Sequence, residues 1–172
     1  TDGTERRMHC RFTWFGFQYF EVKGNARVVD CVVIPSDVKV DSTFSCSDET
    51  LNWLREAYLR TQLDNMHYGI PSDCPHVERR GYTGDGQLTC NAAMIQLDGE
   101  KFYRKWIQDI ADCQDSITGH VQYTAPYIPS GGGPGGWGCA IVMVPYVFYR
   151  NYGDQGILKE LYPQMLHYLD RS

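Results

Sequence analysis

The sequence predicts a mainly helical chain led by a short β-rich segment. Three observations carry this. The first 45 residues are dense in aromatic and β-branched side chains. From residue 46 onward apolar residues recur at helical spacing. Two long polar loops then interrupt the helical part.

The elements follow in order. Phe12, Trp14, Phe15, Phe17, Tyr19, Phe20 and Val22 read as a first strand, and Gly24-Asn25 as a turn. Arg27–Ile34 and Val38–Phe44 are further β-type runs, separated by Pro35-Ser36-Asp37. So few strands cannot form a sandwich alone, so they read as the tail of a β-domain. Ser47 is a candidate N-cap, with Asp48 and Glu49 in the first turn where the helix dipole favours them. Leu51, Leu54, Tyr58 and Leu59 continue that helix, and Gly69 and Pro71 mark its stop. Gln87–Leu97 is a weaker helix carrying Leu88, Ala92 and Ile95. Gly99–Gln114 is clearer, with Phe102, Tyr103, Trp106, Ile107 and Ile110 on one stripe. Ala140–Tyr149 is apolar enough for a buried helix, kinked or started near Pro145. Gln155–Leu169 makes one helix, or two short ones divided at Pro163. The domain expectation is therefore 1–45 for the β-type segment and 46–172 for the helical part. The helical part reads as an open array, because nothing in the sequence after the last helix supplies a partner for its apolar face.

Composition excludes some functions. The net charge of −5 disfavours a phosphate backbone, so no nucleic-acid partner is expected. The longest apolar stretch, Ala140–Phe148, is far below the roughly 20 residues that span a bilayer, so no membrane partner is expected either. The opening TDGTERRMHC is polar and charged, unlike a signal peptide, and localisation stays undecided. The 7 cysteines are odd in number and contain no CxxC, which suggests free buried thiols rather than a disulfide framework or zinc ribbon. Five scattered histidines have no ligand spacing, so neither metal nor cofactor is expected. Aromatics make up 13%, which suits sugar stacking as well as core filling.

Chemistry concentrates in the long loops, which in compact domains are commonly functional. The first, Tyr68–Tyr82, leads into Asp73-Cys74-Pro75-His76-Val77-Glu78-Arg79-Arg80-Gly81-Tyr82-Thr83-Gly84-Asp85. Asp73, Glu78 and Asp85 could act as acids, bases or hydroxyl acceptors, and a solvated surface loop is the plainer alternative. The second, Ser116–Gly138, ends in glycines and a proline around Trp137. No Lys-Ser or Lys-Thr follows, so it is not a phosphate loop. The apolar helix directly after it argues against a free linker.

The string IPSDCPHVERRGYTGDGQ (Ile70–Gln87) resembles the catalytic loop of the α-L-rhamnosidases of glycoside hydrolase family 78. So do Phe12–Val22, Phe102–Gln114 and Gly135–Asp154, in the same order and spacing. The resemblance implies part of an (α/α)6 barrel of six helical hairpins, preceded by the end of a β-sandwich. It implies hydrolysis of terminal α-L-rhamnosyl groups with inversion, hence rhamnose-containing glycosides as partners. By motif position Glu78 is the general acid, kept protonated by burial or neighbouring carboxylates. Asp73 and Asp85 would accept rhamnose hydroxyls, Arg79 would orient the network, and Tyr82 and Trp137 would wall the ring and its methyl group. Val77 and Cys139 depart from residues common in relatives. The family's general base is a Glu in the later part of the barrel, beyond these residues. The chain alone is therefore expected to be inactive, and its open barrel face to self-associate. Alternatives are a non-catalytic carbohydrate-binding or scaffold protein on the same fold, and a six-hairpin enzyme for another sugar.

Overall fold

The computed structural model describes residues 3–129, 131 and 135–170. Five helices follow in chain order: α1 (Glu49–Asp64), α2 (Thr83–Gln96), α3 (Glu100–Asp112), α4 (Ala140–Tyr152) and α5 (Gln155–Leu169). Between α1 and α2, β1 (Met66–His67) pairs antiparallel with β2 (Ile70–Pro71). Tyr68 and Gly69 join them with φ of 54° and 74°. Two left-handed residues in succession are what a tight I′ hairpin turn requires.

The core forms where helices share apolar faces. α4 packs against α2, α3 and α5. It is apolar nearly all round, as a buried helix should be, and Ala140, Ile141, Val144 and Phe148 are fully buried. The expected stripe of α3 is buried in full, from Phe102 to Ile110. Pro145 and Pro163 each remove one backbone hydrogen bond, yet α4 and α5 run through them without a break. Buried contacts on both sides, at Val144 and Phe148 and at Leu161 and Met165, hold the two axes. Helix α4 closes on Gly153 in the left-handed conformation, φ 72°, which suits a residue without Cβ.

Several expectations need correction. The cap of α1 is Asp48, not Ser47: its carboxylate accepts from Thr50 N and Leu51 N at 2.8 and 3.3 Å. Helix α1 ends at Asp64, before Gly69, because the hairpin needs the intervening residues. Leu51 and Leu54 of its stripe stay exposed, while Leu59 is buried. Helix α2 starts at Thr83 rather than Gln87. Its buried face is Gly86, Cys90, Ala93 and Met94, and Leu88, Ala92 and Ile95 point outward. Small residues win that face because they let α2 approach Trp106 closely: a Cβ on Gly86 would lie 2.1 Å from the indole. All seven cysteines are free, but only Cys90 is buried; Cys10 and Cys31 are exposed.

The largest correction concerns the first 45 residues. Among the described residues they form no strand, only an isolated bridge between Val40 and Leu97. A strand needs a neighbour for its N–H and C=O groups, and three short runs alone do not provide one. The segment instead touches the helical part at separate points. Ser36 N donates to Met66 O at 2.7 Å, Asp41 N to Gln96 O at 3.0 Å, and Asp98 N to Lys39 O at 2.9 Å.

Candidate active site

The loop between β2 and α2 is tied to itself first. Asp73 accepts from Arg80 N at 3.0 Å through its side chain, and Asp73 N donates to Arg80 O at 3.1 Å. The Cys74 thiol donates to the other Asp73 oxygen at 3.0 Å and accepts from Glu78 N at 3.3 Å. Asp73 thus closes the turn that carries Glu78. Glu78 itself is exposed, so the described residues do not supply the burial expected for it.

Glu78 lies beside Tyr82. The neighbouring Glu78 side chain pushes the Tyr82 phenol above its ordinary value, with some burial adding and Arg80 opposing. Tyr82 is the N-cap of α2. Asp85 follows in the first turn, exposed, where the helix dipole favours a carboxylate.

The second long loop brings Trp137 to the same place. The Trp137 indole lies against Gly84, so close that a Cβ there would be 2.6 Å from its ring. Tyr123 is a further neighbour, at 5.7 Å between ring centroids. Gln87 of α2 clamps this loop: its amide donates to Gly136 O and accepts from the Cys139 thiol at 3.1 Å. The rest of that loop is built against the first one. Thr83, fully buried, donates its N–H to Tyr123 O at 2.8 Å, and Ala125 N donates to Gly81 O at 2.9 Å. Trp106 completes the support by donating from its indole to Ala125 O at 3.0 Å. Of the glycine-rich stretch, residues 130 and 132–134 lie outside the described residues.

Glu78, Tyr82, Asp85 and Trp137 therefore gather around the start of α2. Arg79 goes elsewhere. Its guanidinium donates to Trp14 O and lies over the Trp14 and Phe15 rings at 5.8 and 5.5 Å. Val77 is exposed. Gln87, Thr83 and Trp14 were each part of a stretch that resembles the family, but nothing in the sequence singled them out as the residues that hold the loops. Among the described residues no group of three His, Cys, Asp or Glu side chains could hold a metal ion, and no helix is long and apolar enough to cross a membrane. Two open clefts lie away from this site. One, of about 500 Å3, runs between residues 36–39 and the start of α3, and the other, of about 610 Å3, is lined by His9, Ile34 and His67 among others.

Comparison with known proteins places the geometry. The family model described as a bacterial alpha-L-rhamnosidase 6 hairpin glycosidase domain matches residues 39–172, so the class is that of the six-hairpin glycosidases. An alpha-L-rhamnosidase of Formosa agariphila is 32% identical over 179 aligned positions, covering 95% of this chain and 19% of that protein. The structure of alpha-L-rhamnosidase from Dictyoglumus thermophilum superposes with a TM-score of 0.76 at 33% identity, over 80% of this chain and 16% of that one. That of Streptomyces avermitilis alpha-L-rhamnosidase complexed with L-rhamnose gives 0.68 at 30% identity, over 78% and 12%. The chain belongs to the bacterial α-L-rhamnosidase family. It spans about a fifth of the length of the curated relatives it matches.

Proposed function

We propose that residues 46–172 form the first part of an (α/α)6 catalytic barrel and residues 1–45 the end of a preceding β-sandwich. The barrel hydrolyses terminal α-L-rhamnosyl groups with inversion. The observation that carries this reading is the gathering of Glu78, Tyr82, Asp85 and Trp137 at the start of α2.

Inversion requires an acid and a base on opposite sides of the sugar, with roughly 6.5–9.5 Å between the carboxyl groups to admit a water. Glu78 is the acid and protonates the leaving glycosidic oxygen. Tyr82, in hydrogen-bonding reach of Glu78, steadies that carboxyl and offers an apolar edge to the sugar. Asp85 and the free lone pairs of Asp73 accept rhamnose hydroxyls. Arg79 orients the loop through its hold on Trp14. Trp137, still 45% exposed, presents an indole face to the ring and its methyl group. The base is a Glu outside these 172 residues, so this chain alone does not turn over substrate.

The test is hydrolysis of an aryl α-L-rhamnoside by the complete catalytic domain and by Glu78→Gln. The variant should lose activity by about 10²–10⁴-fold, the usual worth of general acid catalysis. An unimpaired variant would remove Glu78 from the mechanism. Rhamnose binding without hydrolysis by the parent would favour a carbohydrate-binding role. Turnover by the 172 residues alone would place a base among them, with Asp73 and Asp85 the candidates.

A further inference from the structure

We propose that Trp14 and Gly16 are positioning residues: the irregular N-terminal segment they belong to straps the acid-bearing loop in place from outside the helical layer. The inference rests on the reading of Glu78 as the acid.

The strap is built at both ends of the loop. Before the loop, the Trp14 indole stacks on His67 of β1, with centroids 4.4 Å apart and planes 25° from parallel, and leans on Tyr68 at 5.3 Å. His67 is itself fixed, its ring nitrogens lying 3.0 Å from the Ile34 and Asp64 carbonyls. Within the loop, the same indole lies under the Arg79 guanidinium, and its backbone carbonyl accepts from Arg79 Nη1. Gly16 N then donates to Pro75 O at 2.9 Å. Pro75 and Arg79 bracket Glu78 on either side. Trp14, Phe15, whose ring also lies by the Arg79 guanidinium, and Gly16 thus hold the span of chain that carries Glu78.

Two details show that the fit is tight. A Cβ on Gly16 would lie 2.8 Å from Pro75 O and 2.9 Å from its carbonyl carbon, so only glycine permits the contact without moving the loop. Arg79 has φ 55°, in the left-handed region that bulky residues disfavour. Contacts that over-determine a residue are what keep it in such a conformation, and those of Arg79 are supplied by Trp14 and Phe15.

A general acid must stand within hydrogen-bonding reach of the oxygen it protonates. Displacements near 1 Å can cost on the order of 10²-fold in rate. Loosening the strap should therefore act on proton delivery more than on sugar binding.

The experiment uses the complete catalytic domain, Trp14→Ala, Trp14→Phe and Gly16→Ala, and aryl α-L-rhamnosides with leaving groups of graded acidity. Trp14→Ala and Gly16→Ala should lower kcat by about 10-fold to 10²-fold on poor leaving groups, with KM little changed. The loss should shrink on highly activated leaving groups, which need little protonation, and Trp14→Phe should recover most of it. A loss equal across all leaving groups would reflect fewer folded molecules and overturn the proposal, as would no loss. Hydrogen exchange of the 73–80 amides reads the strap without catalysis: it should quicken in Trp14→Ala, and unchanged exchange would overturn the strap. Glu78→Gln as active as the parent would instead overturn the acid reading and, with it, the proton-delivery role.

Discussion

Residues 12–20 hold twice as many aromatic rings as α3, yet the two regions meet opposite fates. Phe12, Phe15, Phe17, Tyr19 and Phe20 are 54–91% exposed, whereas Tyr103, Trp106 and Ile110 are fully buried. Hydrophobicity does not separate them. A helix satisfies its own backbone and needs only one apolar face to dock. An extended run must borrow its hydrogen bonds from another strand before its side chains can share a core. The helical region therefore finds its core within 124 residues of chain, from 46 to 169, while the aromatic segment keeps a few footholds and leaves most rings in solvent.

The largest expected effect lies on the buried side of that contrast. Trp106→Ala should cost about 3–5 kcal/mol in urea unfolding, through a large cavity beside Gly86 and an Ala125 carbonyl left without its donor. Phe12→Ser should stay within about 0.5 kcal/mol in the same chain. Comparable losses for both would mean that the aromatic segment is packed after all.

A middle-sized effect should appear in association rather than stability. With Phe12, Phe17 and Phe20 at 91, 54 and 58% exposure, the 172-residue chain should self-associate as concentration rises in sedimentation velocity. Replacing the three by serine should shift it toward monomer. A monodisperse monomer before substitution would count against the exposed patch as an adhesive surface.

The smallest effect belongs to the helical side's surface. Arg104, hydrogen-bonded to Asp154, holds that carboxyl below the ordinary carboxylate range, helped by the backbone N–H of Gly156. A depressed folded value means stability that is present above the unfolded pKa and lost as pH falls through the folded one. Parent and Asp154→Asn should thus differ modestly in Tm at neutral pH and converge in acid. A gap that widens in acid would contradict the assigned direction.

Legibility in the sequence followed the same divide. Helix α3 was readable almost to the residue, because a stripe such as Phe102–Ile110 has one period and one buried face; the bounds of α5 were readable too, but Pro163 left one helix or two open. Helix α2 misled: Thr-Gly-Asp-Gly reads as loop, and its apolar Leu88 and Ile95 advertise the wrong face. Its buried face is made of glycine, cysteine and alanine, which hydrophobic patterning barely registers. The loop that carries Glu78 drew notice through its likeness to a known family, but the contacts that hold it did not. Arg79 and Trp14 are 65 residues apart, and no local spacing announces that meeting.

Gly84 and Gly86 stand two residues apart on the first turn of α2, and each faces an indole. Adding one methyl group collides at both, 2.6 Å from Trp137 and 2.1 Å from Trp106. The two rings differ in where they can go. Trp106 is enclosed on all sides, while Trp137 has solvent to retreat into. The same alanine is thus a packing defect at position 86 and a displacement of the half-exposed Trp137 ring at position 84. One turn of helix keeps the robustness of the scaffold and the shape of the surface around Trp137 under separate genetic control.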